Sequence, residues 1–358
     1  MDFDLSDDQI ALRDGACELL DDLASPARVR AHTTTGEAYD GALWRAMTEQ
    51  GWLGVDAQER HGGLGLGTVE VAVLLEELGR HCAPAPFLTN VLAANAFAAA
   101  GDDATVERLV GGDAIACVGW VRDGRTFAVE EHGGRVALHG RVGPVVYAPS
   151  ADIAVIVGTD AVYAVNLDAL GRPAREPAMD LTRELGWLHF DNTDATKLGG
   201  ADVRDAVLDR GASYVAAEML GGASRALDMT VEYAKDRVQF GRPIGSFQAI
   251  KHRCADMLVD VEGMRSTVYW AAWCIGATDP DASVAASTAK VWGSDASKRV
   301  MASALQVHGG IGFTWEHDLH FFLKRAQLDQ LSFGDASYHR ARLTSLLRPR
   351  VEAGQSIV

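Results

Sequence analysis

The sequence predicts a mainly α-helical protein with a middle antiparallel β domain, in the order helical domain, β-barrel-like domain and C-terminal four-helix bundle. Three observations lead to this prediction. Helical hydrophobic periodicity occupies residues 1–110, short β-rich runs occupy 111–200, and helical periodicity returns over 201–358. These three ranges are the predicted domains.

The N-terminal part carries helix start and stop signals. Ser6 and Gln9 have the spacing of a capping box, in which the Gln9 side chain reaches back to the N-cap. The periodicity predicts a second helix over 39–50 and a third that ends at Gly79. We therefore expect an all-helical N-terminal domain.

The middle part changes to the period of β-strands. Turn signals such as Asp123-Gly124 and Gly133-Gly134 separate short apolar runs. We expect a small antiparallel sheet or barrel. Its predicted strands are 115–121, 126–129, 136–139, 153–157, 162–165 and 187–190.

The C-terminal part contains an apolar seam whose spacings alternate between four and three residues, the pattern of a helix packed along its length. The segments 212–236 and 282–307 are also long and apolar-periodic. Short or moderate loops join these segments, so we predict an antiparallel bundle. The seam consists of Ile250, Cys254, Met257, Val261, Met264, Val268, Ala271 and Ile275.

Charge and cysteine content exclude several classes of protein. The 33 basic and 49 acidic residues leave a net charge of −16 without a basic stripe, so we expect no nucleic-acid partner. Five cysteines without a CxxC pair argue against a disulfide framework and a metal site, and favour the cytoplasm. The acidic start, with Asp2 and Asp4, is unlike a signal peptide. The longest apolar run, Val91 to Ala100, is too short to span a membrane.

The segment from Arg237 to Gln248 links two predicted helices and has an unusual composition for a linker. It combines arginines, an aromatic ring at Phe240 and a Gly-Pro break. Arginine forms forked hydrogen bonds to phosphate, and an exposed phenylalanine can cover a flat heterocycle. A solvated loop anchored by its phenylalanine is the alternative interpretation.

A second motif, Gln306 to Phe313, closes the third long helix of the bundle. Its glycines can act as C-caps, or Gly309 and Gly310 can let a pyrophosphate approach bare backbone. His308 alone is more typical of a structural histidine than of a ligand. The motif does not follow a strand, so it does not predict a Rossmann site.

In their order and spacing, these motifs resemble the acyl-CoA dehydrogenase family of flavoproteins almost end to end. The resemblance implies the three-part fold, FAD, an acyl-CoA substrate, and an electron-transfer flavoprotein or similar acceptor. It implies removal of the substrate's α-proton while its β-hydride passes to the flavin. The matching segments are Gly51 to Gly54, Glu59 to Gly65, Leu75 to Gly79, Tyr233 to Ile244, Phe247-Gln248 and Gln306 to Phe313.

In that family, one subunit holds the flavin ring and its neighbour's C-terminal domain cradles the ADP half of FAD. By resemblance, Arg237 binds the pyrophosphate, Phe240 packs near the cofactor and Gln248 supplies an amide contact. The rest of the implied pyrophosphate cradle is formed by Gln306, Gly309 and Gly310.

The family's catalytic glutamate has no counterpart at its usual position. It follows an aromatic residue shortly before the last helix, and here Phe333 is followed by Gly334. Asp335 is the alternative candidate base, although it also stands where the N-cap of the last helix is expected.

A second branch of the family draws its glutamate from the helix before the Arg237 loop. The corresponding position here is near Gly211, which again has no carboxylate. Asp209 and Glu218 lie nearby, and we expect both to be solvated helix charges. The family's loop over the flavin is also missing from Cys117 to Gly124, and its Trp-x-Thr flavin contact is replaced around Pro144.

These departures predict a non-catalytic subunit of a heteromeric acyl-CoA dehydrogenase, with no catalytic residue of its own. Its partner is a catalytic subunit that supplies the base, and a bulky acyl group such as a steroid side chain is plausible. One alternative is a homomeric enzyme that uses Asp335 or another carboxylate. Another is a flavin-dependent oxygenase or oxidase on the same scaffold. A purely structural partner is disfavoured, because scaffold duty does not require the implied cradle residues.

Overall fold

The computed structural model describes residues 4–356, so Asp2 and the outer ends of the first and last predicted domains lie outside the described residues. Helices come first, then strands, then helices again, which confirms the predicted fold class. The N-terminal helices are α1 (Asp7–Leu23), α2 (Pro26–Thr35), α3 (Gly41–Glu49), α4 (Thr68–Arg80), α5 (Phe87–Ala100) and α6 (Asp103–Val110).

The strands of the middle part are β1 (Ala116–Trp120), β2 (Phe127–His132), β3 (Arg135–Val146), β4 (Ile153–Val157), β5 (Val162–Asn166) and β6 (Leu185–Gly199), with a short helix α7 (Leu167–Leu170) before β6. The C-terminal part contains α8 (Ala201–Asp236), β7 (Val238–Gln239), β8 (Arg242–Pro243), α9 (Gln248–Gly276), α10 (Ala282–His308), α11 (Leu319–Leu331) and α12 (Ala336–Glu352).

The predicted capping box at the start of α1 is confirmed. The Ser6 hydroxyl accepts a hydrogen bond from the Gln9 amide at 3.2 Å, and the Gln9 side chain accepts one from the Ser6 amide at 3.0 Å. Gly79, in contrast, lies inside α4 and does not end it. A Cβ at Gly79 would lie 2.1 Å from the Glu218 carbonyl oxygen, so this glycine permits close packing of α4 against α8.

The six strands form one curled sheet, a half-barrel in the order β1-β4-β5-β6-β3-β2. The prediction of a purely antiparallel sheet is wrong at one pair, because β1 and β4 run parallel. The intervening β2-β3 hairpin supplies the crossover that a parallel pair requires. Strand β3 extends beyond the predicted 136–139. Register shifts at Leu138/Gly140 and Val142/Val145 interrupt its alternation of apolar residues, so the sequence pattern predicted only its first part.

The chain forms two compact units that do not coincide with the predicted domain ranges. The first contains the described parts of Met1–Arg30, Ala72–Ala83 and Ala212–Val358. The second contains Ala31–Val71 and Pro84–Gly211, and so holds the whole six-stranded sheet. The three-domain boundaries remain a prediction.

The predicted seam forms the buried face of α9 over most of its length. Ile250 and Cys254, near the start of the helix, are half-buried, and the later seam residues are buried. Those buried residues are Met257, Val261, Met264, Val268, Ala271 and Ile275. Within residues 4–356, none of the helices combines the length and the apolar character that a membrane crossing needs.

Candidate functional site

The Arg237 segment folds as a tight β-hairpin between α8 and α9. Strands β7 and β8 pair through Val238 with Pro243 and Gln239 with Arg242. The two turn residues, Phe240 and Gly241, have φ values of +54° and +77°, as the favoured two-residue hairpin turn requires. A phenylalanine rarely adopts this conformation, so the hairpin holds Phe240 at its tip against a local backbone preference.

The Phe240 side chain projects into solvent and is 93% exposed. Its ring meets the Phe247 ring edge to face, at a centroid distance of 6.1 Å, and the Arg242 guanidinium stacks over Phe247 at 4.2 Å. Of the alternative interpretation, the solvated loop is confirmed, because residues 237–243 are exposed, whereas its anchoring by Phe240 is wrong. An exposed aromatic ring held at a strained turn is typical of a binding surface.

The glycine motif forms the C-terminus of α10. Gly309 is the C-cap, with φ +63° and ψ −139°, and its amide donates to the Leu305 carbonyl. The C-cap interpretation is thus confirmed. A Cβ placed on Gly309 or Gly310 would meet nothing within 4 Å, so the backbone of this turn borders open space. A phosphate can approach such bare backbone, which makes the turn compatible with a dinucleotide.

The polar candidates around these two motifs all lie on the surface of the same compact unit. Arg237, Gln248 and Gln306 are exposed. Across the described chain, 4–356, no side-chain hydrogen bond or ion pair engages the Arg237 guanidinium. An uncommitted guanidinium can donate to a pyrophosphate, and open glycine backbone leaves room for one, so the residue types present fit the ADP half of FAD.

Two stacked rings connect the hairpin to the glycine turn. The Tyr233 and His308 rings lie 4.6 Å apart with an interplanar angle of 22°. Tyr233 stands one helical turn before Arg237, and His308 directly precedes Gly309. The sequence did not indicate this contact, because residues so distant along the chain meet only through the packing of α8 with α10. His308 itself is buried, as expected of a structural histidine.

The expected position of the catalytic glutamate is closed. Gly334 has a φ of +99°, and a Cβ there would lie 2.5 Å from Tyr338 Cδ1 and 3.0 Å from His339 Nε2. His339 is fully buried, and its Nε2 makes a hydrogen bond with the Phe333 carbonyl at 2.8 Å. Burial lowers the pKa of His339 to about 4. The segment is therefore packed around a residue without a side chain.

Asp335 acts as the N-cap of α12. Its carboxylate accepts a hydrogen bond from the Tyr338 amide at 2.7 Å, which confirms the N-cap interpretation. The end of α11, which precedes Gly334, is held by the buried amine of Lys290, which donates to the Asp329 and Gln330 carbonyls at 3.0 Å. Burial lowers the pKa of Lys290 to about 7. Lys290 occupies an apolar position in the periodic pattern of α10, and this was the sequence signal that could have predicted its burial.

The prediction that Asp209 and Glu218 are solvated charges is wrong. Asp209 is 5% exposed and Glu218 is 2% exposed. Glu218 of α8 forms an ion pair with Arg325 of α11 at 2.5 Å, and both side chains are buried. The face of α8 that carries this charge is therefore packed inside the bundle. A carboxylate in a buried ion pair is not placed to abstract a substrate proton.

One cluster of side chains has the donor types of a metal site. Ligand atoms of Cys17, Asp21 and His81 lie within 4.8 Å of one another. His81 makes hydrogen bonds with the Asp21 carboxylate at 3.1 Å and the Glu77 carbonyl at 2.8 Å. The Asp21 side chain is 73% exposed, so these hydrogen bonds account for the geometry and we assign no metal.

Models of two protein-family domains match most of the chain. The acyl-CoA dehydrogenase N-terminal domain matches residues 6–112, and the acyl-CoA dehydrogenase C-terminal domain matches residues 199–346. Among characterised relatives, the acyl-CoA dehydrogenase IpdE2 of Mycolicibacterium smegmatis is 36% identical over 328 residues. That alignment covers 90% of this chain and 93% of the relative.

Solved structures agree with these matches. The ChsE4-ChsE5 complex from Mycobacterium tuberculosis superimposes with a TM-score of 0.90 at 30% identity, over 97% of this chain and 99% of the matched chain. A variant of the Tcur3481-Tcur3483 steroid ACAD superimposes with a TM-score of 0.90 at 29% identity, over 96% of this chain and 99% of the matched chain.

Proposed function

Because this chain belongs to the acyl-CoA dehydrogenase family, we propose that it is the non-catalytic subunit of a heteromeric, FAD-dependent acyl-CoA dehydrogenase. It supplies the half-site for the ADP part of FAD to a partner chain. The partner supplies the flavin-ring pocket and the carboxylate base. The division into domains 1–110, 111–200 and 201–358 belongs to the same proposal.

The observation that carries this proposal is the contrast between an open cradle and a closed base position. The glycine turn borders open space, and the Arg237 guanidinium is exposed. At Gly334, by comparison, Tyr338 occupies the space that a side chain needs. Asp335 is committed to capping α12, and Glu218 is committed to Arg325. This contrast supports a chain that keeps the binding half and leaves the proton-abstracting group to its partner.

The partner is proposed to be a different acyl-CoA dehydrogenase chain that carries the glutamate. Support comes from the two solved structures above, because each is named as a combination of two differently named proteins. The second of them is a steroid ACAD, which supports a bulky acyl-CoA substrate for this chain's complex. An electron-transfer flavoprotein or similar acceptor completes the proposed cycle. The five cysteines, all within residues 4–356, form no disulfide, in keeping with the proposed reducing cytoplasm.

When bound, FAD supplies the acceptor for the substrate's β-hydride. This chain's residues then have binding roles only. Arg237 neutralises and orients the pyrophosphate through charged hydrogen bonds, and the backbone at Gly309 and Gly310 lets the pyrophosphate approach without side chains in the way. Phe240 covers the cofactor with its exposed ring, and the amides of Gln248 and Gln306 complete the polar contacts.

The first experiment tests the binding role of Arg237. The chain is co-expressed with a glutamate-bearing homologue, and FAD is titrated into the apo complex of wild type and Arg237→Ala. Loss of a charged hydrogen bond is expected to weaken FAD binding by about 1.5–3 kcal/mol, or roughly 10- to 150-fold. Arg348→Ala, an exposed arginine on α12, is the matched control and should bind FAD normally. Equal FAD affinity for Arg237→Ala and wild type would overturn the proposal.

The second experiment tests the division of labour. Dye-linked dehydrogenation of acyl-CoA thioesters is measured for each chain alone and for the co-purified complex. We expect turnover from the complex and none from this chain by itself. Turnover by this chain alone, with its own bound flavin, would instead establish a homomeric enzyme.

A further inference from the structure

The glycine turn of the proposed ADP cradle is anchored through its backbone, since the Gly309 amide donates to the Leu305 carbonyl, but its two glycines bring no side chain to fix it further. Gly309 and Gly310 have no side chains, and open space surrounds the places where a Cβ would stand. Glycine backbone also has more conformational freedom to lose than any other residue type. The residues that flank this turn therefore add to its positioning, and His308 directly precedes it.

The His308 side chain is held on three sides. It is 3% exposed, and its Nδ1 makes a hydrogen bond with the Ala304 carbonyl at 2.8 Å. Because that partner can only accept, Nδ1 carries the proton. One ring face stacks on Tyr233 at 4.6 Å, and the His317 ring lies 4.5 Å away at a tilt of 60°. Burial lowers the pKa of His308, in accordance with a neutral ring.

Tyr233 extends this rigid contact to the other half of the cradle. The Arg237 amide donates to the Tyr233 carbonyl at 2.9 Å, so the hairpin begins one helical turn after Tyr233. The Ile244 amide then donates to the Arg237 carbonyl at 2.8 Å and closes the base of the hairpin. The stacked pair is thus a direct physical link between the base of the Arg237 hairpin and the start of the glycine turn.

We propose that Tyr233 and His308 are positioning residues for the dinucleotide. Their stacked rings hold the Arg237 guanidinium and the Gly309–Gly310 backbone at the separation that lets both contact one pyrophosphate. Neither ring is assigned a contact with FAD. This inference rests on the proposed function, because it concerns the same ADP half-site.

The test measures FAD binding to the apo complex of this chain and its glutamate-bearing partner. Tyr233→Ala and His308→Ala are each expected to weaken FAD binding about three- to tenfold, the worth of an aromatic pair. Tyr233→Phe preserves the stacked ring and should restore wild-type affinity. The variant that carries both Tyr233→Ala and His308→Ala should bind FAD no more weakly than whichever single variant has the lower FAD affinity, because the two rings act as one unit.

A control separates positioning from general loss of stability. Met264→Ala removes a fully buried side chain from α9 and should destabilise the fold without changing the affinity of the folded fraction for FAD. If an alanine variant does not fold, Tyr233→Leu, which keeps apolar volume without an aromatic face, replaces it. Unchanged affinity in the ring-deleting variants, equal weakening by Tyr233→Phe, or fully additive effects in the double variant would each overturn the inference.

Parallel measurement of Arg237→Ala distinguishes the two levels of failure. Weakened binding in Arg237→Ala together with normal binding in Tyr233→Ala and His308→Ala would overturn this inference and leave the proposed function intact. Normal binding in Arg237→Ala would overturn the proposed function itself.

Discussion

Gly334 offers the sharpest test of the claim that this chain has no room for a catalytic carboxylate at the family's usual position. Its φ of +99° lies in a region that residues with side chains rarely adopt. An alanine Cβ would stand 2.5 Å from Tyr338 Cδ1 and 3.0 Å from His339 Nε2. His339 is fully buried and bonded to the Phe333 carbonyl, so it cannot move aside without loss of that hydrogen bond.

The expected cost of Gly334→Ala follows from these two effects. Backbone strain at a positive φ costs about 1–3 kcal/mol, and overpacking of a filled site costs about 1–3 kcal/mol. We therefore expect Gly334→Ala to lower the free energy of unfolding by about 2–6 kcal/mol. Gly334→Glu adds the burial of a carboxylate and should destabilise the fold further without conferring dehydrogenase activity.

The assay is urea-induced unfolding followed by circular dichroism, with turnover of an acyl-CoA measured on the folded Gly334→Glu variant. Gly15→Ala in α1 is the control, because a Cβ there meets nothing within 4 Å and its φ is not positive. That control should stabilise the protein by about 0.5–1 kcal/mol. A Gly334→Ala variant as stable as wild type, or acyl-CoA turnover by Gly334→Glu alone, would refute the steric reasoning.

Two further predictions concern buried ionisable groups. Glu218→Ala should lower the free energy of unfolding by about 3–5 kcal/mol because it leaves Arg325 buried and unpaired, whereas Asp14→Ala, in an exposed pair, should change it by less than about 1 kcal/mol. Urea midpoints for the two variants check this, and similar values for both would contradict it. The pKa of His339, lowered by burial to about 4, makes the unfolded chain bind more protons between about pH 6.5 and 4. The free energy of unfolding should thus fall by about 3 kcal/mol as the pH is lowered through that range. His339→Gln should flatten this part of the pH profile. An unchanged profile would count against burial of a neutral ring.

The elements with strong local signals were predictable from sequence. The capping box of α1 and the strand β4 have the residues that the sequence predicted. The seam of α9 is buried from Met257 onward. These features depend on contacts between neighbours along the chain or on one apolar face, so the order of residues carries the information.

Other features depended on packing between distant segments. The sequence pattern presented Gly79 as a helix end, yet the close approach of the Glu218 carbonyl makes it a crossing point of two helices. The sequence also predicted that Glu218 is a solvated charge on the helix surface, whereas the structure buries it in an ion pair with Arg325. Likewise, the parallel pairing of β1 with β4 follows from a crossover that no local run of residues indicates.

For the candidate site, the residue types and their order by themselves determined which chemistry is available. Through the family resemblance, an arginine, an aromatic ring and two glycines at motif spacing imply a dinucleotide half-site, and the glycine at position 334 implies a missing base. Tertiary structure decided whether that chemistry has space. It exposes Phe240 at a strained turn, links Tyr233 to His308, and fills the volume beside Gly334 with Tyr338. The physical reason is that side-chain identity is local, whereas free volume and burial arise only when segments far apart in the chain are packed together.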